Sequence, residues 1–396
     1  MRTPIGRPEV RDRPIGGWAF TGVALTSLGG PLALAALIAP AVTDEAIPSG
    51  GFVTVAAFVV FAFPIAIWLR YAEHIRARGG LYAYVEAAAG RRVAQFQAAV
   101  WTFSYLLYIV YTTVQIVYDV LPSAVTVSSS LQKVLTILIP VALAATMLSG
   151  RRVALLVIGV IGFGQVAVAG ILDGVTVAHL SIPASSFGTA AAGAGPLAKA
   201  SVGNSLLYIC ASLPLFLESE VATPARTVRR GLVGAYVVTG ILILLVVAPL
   251  ASSPGITQTE IPGVAIASQF STTTLARVIG IGVAVSIGGV MLTEYLALTR
   301  VLSAVLAVGR RPVTLVLAAI IVIVAPFSLI DPQGFYNALA QPSLVALWVS
   351  QLIVFAVYPR YAVAHGGRPL PAWTLGLVAS AFAGYGIYNA LVNVSS

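Results

Sequence analysis

Charge is what this chain has least of. Only 9% of its 396 residues are Asp, Glu, Lys or Arg, against about 25% in a soluble globular domain. So few charges cannot clothe a water-exposed surface, which excludes a soluble enzyme or binding module. Cysteine occurs once, at Cys210, so no intrachain disulfide can form. The three histidines, His74, His179 and His365, fall in predicted loops. No His-Glu-x-x-His spacing occurs and Cys210 has no histidine near it in sequence, which argues against an intramembrane enzyme. No catalytic residue, metal or cofactor is expected. No ring of charge or filter-like repeat marks a channel.

Hydrocarbon is what the chain has in excess. Hydrophobic residues make up 59% of it, so its outside must meet the lipid bilayer. The net charge is +9, from 22 Lys+Arg and 13 Asp+Glu. In a soluble protein that excess would suggest nucleic acid. Here the basic residues stand in short clusters between apolar runs, as in membrane-protein loops, and no nucleic-acid partner is expected.

A helix needs about 20 mostly apolar residues to cross the hydrocarbon. Eleven stretches qualify, at about 17–41, 51–70, 92–120, 133–149, 153–173, 200–221, 232–252, 275–300, 313–330, 334–358 and 372–392. With the N-terminus in the cytoplasm, 18 of the 22 basic residues fall inside, among them Arg2, Arg7, Arg11, Arg13, Arg76, Arg151, Arg229 and Arg310. Lys133, Lys199 and Arg277 fall outside, Arg300 lies at a helix end, and Asp44, Glu45, Asp119, Asp173, Glu260 and Asp331 all fall outside. The asymmetry persists to the last loop, as the preference of cytoplasmic loops for Lys and Arg requires. The expected protein is multi-pass in the cell membrane, with a cytoplasmic tail over 1–16, no cleavable leader and an extracytoplasmic C-terminus.

Two spans are interrupted near the middle. Ser27-Leu28-Gly29-Gly30-Pro31 breaks the first, and Cys210-Ala211-Ser212-Leu213-Pro214 breaks the sixth. Glycine tolerates unusual backbone angles and proline lacks an amide hydrogen. A lone proline usually marks only a kink, and Pro64, Pro140 and Pro249 are read that way. Five spans separate the two breaks. Because five is odd, spans one to five and six to ten have opposite orientations, the arrangement of inverted-repeat transporters. The expected fold is an all-α polytopic membrane protein with discontinuous helices one and six. Its first five-helix repeat covers 17–173, an extracytoplasmic loop 174–199, the second repeat 200–358 and an additional C-terminal helix 359–396.

Three motifs carry a family resemblance. Tyr71-Ala72-Glu73-His74, followed by Gly79-Gly80-Leu81-Tyr82-Ala83-Tyr84 and Gly90, resembles the loop after helix two of the amino acid–polyamine–organocation (APC) superfamily. Glu220, Pro224, Arg226 and Arg230 within 220–231 resemble that family's segment after helix six. Leu298-Thr299-Arg300-Val301-Leu302 with Gly309-Arg310-Arg311-Pro312 resembles the segment after helix eight. The resemblance covers roughly 17–358. It implies a permease, a secondary active transporter of amino acids or related small amines by alternating access. The family usually has twelve spans, and this chain shows eleven. Its first break usually reads Ile-Gly-Ser-Gly-Ile-Phe where Leu28-Gly29-Gly30-Pro31-Leu32 stands here. Its sixth has a Gly-x-Glu-like motif where Cys210 and Ser212 stand. These departures keep open the alternative of a non-transporting sensor on the same fold.

The candidate substrate-binding residues follow from the breaks. At the first break, with Ser27, Leu28, Gly29 and Gly30 as candidates, free amides and the positive helix end suit an anionic group; Pro31 removes one donor, and Leu32 and Ala33 keep theirs. Carbonyls near Cys210 and Ala211, with the Ser212 hydroxyl, suit an ammonium. Tyr208 is a candidate gate or a packing aromatic, and Tyr105 and Tyr108 candidate cavity walls or an aromatic packing stripe. Ser286 is read first as a helix–helix contact and second as a cation or substrate ligand. Glu294, the deepest clear acid, needs a reason to be there. The reading favours an ion pair with Arg300 over a proton path. Glu73 is a candidate cytoplasmic gate or brace. In proton-coupled relatives a helix-five lysine replaces sodium, but the only interior polar side chain in span five here is Gln165, a neutral amide. Coupling to a proton, to sodium, or exchange all stay open.

Overall fold

In the computed structural model the described residues are 14–75, 77–221 and 223–393. Arg2, Arg7, Arg11, Arg13, most of the expected cytoplasmic tail, Arg76, Ala222 of the post-helix-six motif and the last three residues lie outside them. The fold is all-helical. Among the described residues, ten helical stretches are long and apolar enough to cross a membrane. The first, Gly17–His74, runs 58 residues, far beyond the roughly 20 that one crossing needs. It folds back at the 3₁₀ turn Asp44–Ser49, where Ala46 leaves helical angles (φ −124°, ψ 18°). Its two arms are spans one and two. The remaining spans, three to eleven, are Arg91–Ala124, Ser129–Leu148, Arg151–His179, Ala194–Glu220, Ala225–Leu250, Thr273–Leu306, Arg310–Leu329, Pro332–Ala364 and Pro369–Val392. Eleven crossings result.

Small residues set the closest helix contacts, as lipid-embedded helices require because their apolar faces gain little by leaving lipid. Spans one and five touch where a Cβ on Gly22 would come 2.8 Å from Gly159 Cα. Thr26 Oγ1 bonds across this contact to Ile158 O at 2.8 Å. Span one packs on six, two on seven, three on eight and four on nine.

The bundle has one basic and one acidic end. At the basic end Glu220, closing span six, joins four elements. Its Oε1 takes Arg300 Nε at 3.2 Å and Arg310 Nη2 at 2.8 Å, and its Oε2 takes Arg151 Nη1 at 3.0 Å. Ile15 N, ahead of span one, donates to Glu220 O at 2.8 Å, and Tyr84 donates to Glu218. The acidic end is held by hydrogen bonds and an exposed ion pair. Asn204 Nδ2 donates to Thr43 Oγ1 at 2.7 Å, and Lys199 pairs with Glu45 at 3.0 Å with both side chains more than half exposed. A groove of about 550 Å³ opens there between spans one, six, ten and eleven, lined by Val42, Leu207, Ile209 and Trp348.

Candidate functional site

The break in span one lies where the sequence places it. The helix Gly17–Ser27 ends at Leu28 (ψ 36°), and the chain turns through Gly29 (φ 78°) and Gly30 (φ 73°). Both glycines occupy the left-handed region that other residues enter at a cost. Pro31 then opens the next helical segment, at the position where its missing N–H would have had no partner anyway. The helix widens to a π-helix over Leu34–Ile38 before it continues as Ala39–Thr43.

The interruption of span six takes a different form from the unwinding expected at Cys210–Ser212. The α-helix Ala194–Leu206 ends in a turn at Leu207–Tyr208, and the chain continues without a gap as a 3₁₀ helix, Ile209–Glu220. Twelve residues is long for a form that seldom exceeds about four. The reason is local. No glycine is available to take a positive φ, so the chain tightens instead of opening. Pro214 cannot supply the i→i+3 bond to Ala211 O. The Ser212 hydroxyl is turned back on Ile209 O at 3.3 Å.

The two interruptions abut: a Cβ on Gly29 would sit 3.1 Å from Leu207 O. Around them the structure forms two polar centres. The first joins spans one, five and eight. Ser286 donates to Gln165 Oε1 and accepts from Ala33 N at 3.4 Å. A Cβ on Gly30 would come 3.1 Å from Gln165 Oε1 and within clashing distance of the Ser286 hydroxyl. The Gln165 amide nitrogen is buried without a partner. Ser286 is thus more than a helix-packing residue; it touches the break. Ser27 lies beside it with its hydroxyl on Ala24 O at 3.0 Å.

The second centre joins spans three, six and eight. Tyr105 Oη donates to Cys210 Sγ at 3.8 Å. Glu294 is 0% exposed, and neither carboxyl oxygen has a hydrogen-bond partner. The expected pair with Arg300 does not form, because Arg300 lies nearly two turns nearer the basic end and its guanidinium is engaged by Glu220. Glu294 instead lies within electrostatic reach of Cys210, Tyr105, Tyr108 and Tyr111. Those tyrosines follow one another at i, i+3 and i+6, with ring centroids 6.3 and 5.2 Å apart, and Tyr111 meets Tyr336 of span ten at 5.2 Å. Tyr108 is half-buried between Tyr105 and Tyr111. Ser286 and Glu294 are eight residues apart on one helix, which separates the two centres by about 12 Å along its axis.

Other candidates lie elsewhere. Tyr208 turns toward spans two and seven, with its ring 5.6 Å from Phe61 and 5.1 Å from Tyr236. Glu73 is exposed at the basic end, in a cleft with Arg226, Arg229 and Arg230. Among the described residues no group of three or more His, Cys, Asp or Glu is placed to hold a metal. Two participants escape a sequence reading. Tyr111 has a signal in its i+3 spacing from Tyr108, whereas Tyr336 has none. Asp173 lies within the span-five helix, six residues before its end at His179. It is 4% exposed with both oxygens unpartnered.

No family model and no curated protein matches this sequence. Among solved structures, the chain is similar to the substrate-bound outward-open state of a Na⁺-coupled sialic acid symporter. The TM-score is 0.61 at 12% identity, covering 96% of this chain and 90% of that one. At that identity the likeness is one of fold. The chain therefore has the polytopic helical fold of a known transporter, with crossings and breaks as described above.

Proposed function

We propose that the protein is a secondary active transporter that moves amino acids or related small amines by alternating access. The observation that carries this reading is Glu294. A carboxyl buried at mid-membrane with no partner is costly, and it becomes favourable when a cation or a proton joins it. Its neighbours Tyr105, Tyr108 and Cys210 stand beside the interruption of span six, and the glycine break of span one lies on the far side. A substrate fits with its ammonium toward Glu294 and the Cys210 segment. A substrate long enough to cross the roughly 12 Å between the two centres brings its other end toward Gly29 and Gly30, where backbone N–H groups can donate to a carboxylate. The APC-like motifs after spans two, six and eight favour the same substrate class.

The inverted halves, 17–173 and 200–358, are part of the proposal. The packing of spans one to four each on the span five places later supports them. So is a cytoplasmic N-terminus, supported by the concentration of arginine at one end. The Glu220 cluster then closes the cytoplasmic side and must open for release. The coupling ion is sodium or a proton. The Gln165–Ser286 junction offers oxygen ligands without charge, and Glu294 offers a protonatable group.

The test is a thermal-shift screen of amino acids and amines on purified protein, since a ligand of the folded state raises its stability. Uptake of each hit into proteoliposomes follows. Glu294→Gln keeps shape and removes the charge. It should weaken binding of a hit by roughly ten- to a hundred-fold, the range for a hydrogen bond to a charged group. Undiminished affinity would remove Glu294 from the site, and binding without flux would favour the sensor.

A further inference from the structure

We propose that the groove between spans one and five at the basic end is a binding site for an anionic phospholipid. Gly22 and Gly159 pin the two helices together. Toward their N-terminal ends a groove of about 660 Å³ lies between them, bounded by Ile15, Trp18, Arg151, Arg152, Leu155 and Phe163. Its chemistry is graded along its length. Two adjacent guanidiniums stand at one end. Beyond them the walls are apolar, with Leu156 67%, Val160 64% and Trp18 81% exposed. From Arg151 to Phe163 is about 18 Å of helix, close to the roughly 15 Å depth of one leaflet.

A free anion would satisfy the arginines and leave the apolar walls bare. A zwitterionic lipid would cover the walls but bring its own cation to the guanidiniums. An anionic phospholipid satisfies both: its phosphate sits at Arg151 and Arg152, and an acyl chain lies along Leu156, Val160 and Phe163. Arg152 is exposed and makes no ion pair among the described residues, so its charge is available to the headgroup. Arg151 also holds Glu220 at 3.0 Å, which puts the lipid phosphate one side chain away from the cluster that joins spans five, six, eight and nine.

The experiment compares retention of phosphatidylglycerol and phosphatidylcholine by native mass spectrometry on the full-length protein. The parent should retain phosphatidylglycerol preferentially. Arg152→Gln should reduce that preference about five-fold, the effect of one basic residue near an anionic headgroup. Gly159→Leu tests the groove itself. Gly159 lines the groove and a Cβ there meets nothing within 4 Å, so a leucine side chain takes up groove space, and lipid retention should fall with both arginines intact and with Tm in detergent unchanged. Arg368→Gln, which removes a charge from the same end away from the groove, should change nothing. A parent without preference, an equal loss with Arg368→Gln, or either groove variant retaining phosphatidylglycerol as the parent does would overturn the site.

Discussion

The breaks in spans one and six occupy matched places in the chain and solve the same problem differently. At span one, two consecutive glycines with φ near +75° swing the backbone out of the helix, and Pro31 restarts it. At span six no residue can take that conformation cheaply, so the helix narrows to 3₁₀ and stays continuous from Ile209 to Glu220. Proline alone removes one hydrogen bond; glycine is what lets the chain leave the helix. The first break offers backbone, whereas the second offers side chains, Cys210 among them, with Tyr105 and Glu294 packed beside it. The asymmetry extends to the ends. Span six is locked at its basic end by three ion pairs to Glu220. Span one is joined to that end through the backbone of Ile15.

Four substitutions sharpen this contrast. Glu220→Gln should have the largest effect, because it leaves the buried Arg300 guanidinium without its carboxylate. Removing one partner of a buried pair costs about 3–5 kcal/mol, read as a large fall in Tm in detergent. An unchanged Tm would mean that the cluster does not hold span six. Gly30→Leu comes next. The left-handed backbone alone costs about 1–3 kcal/mol, and the new side chain also meets Ser286 and Gln165. Membrane insertion should survive, since the span stays apolar, while ligand binding disappears.

Pro214→Ala is smaller and more specific. It restores the N–H that can bond Ala211 O, a gain of about 1 kcal/mol, and should slow transport while raising Tm slightly. No change in either would show that the 3₁₀ form does not depend on the proline. Ser212→Ala should do least, at the low end of the roughly 0.5–1.5 kcal/mol range for one hydrogen bond, because the hydroxyl bonds its own helix at Ile209 O. A binding loss as large as that of Gly30→Leu would place Ser212 on the substrate instead.

What was legible in the sequence follows the same physical line. Hydropathy and the spacing of arginines locate all eleven crossings, because each depends on composition over about 20 residues. Gly29 and Gly30 are legible because only glycine suits their backbone. The span-six form is not, since proline is equally compatible with a kink, a gap or a tighter helix. The Glu294–Arg300 pair fails because spacing along one helix cannot reveal a stronger competitor on another, here Glu220. The span-five helix runs six residues past Asp173 to His179, an extension that hydropathy over about 20 residues does not mark. Tyr336 reaches the tyrosine row from span ten, a meeting that only the packing decides.

The central claim is that substrate lies between the two breaks, and Cys210, the chain's single thiol, reports on it without engineering. The measurement is the rate at which a small methanethiosulfonate reagent modifies Cys210 in proteoliposomes, with and without a transported amino acid or amine. Substrate should slow modification in proportion to its occupancy of the site, and the modified protein should no longer transport. A rate that saturating substrate leaves unchanged, in a protein that still transports after modification, would contradict the account.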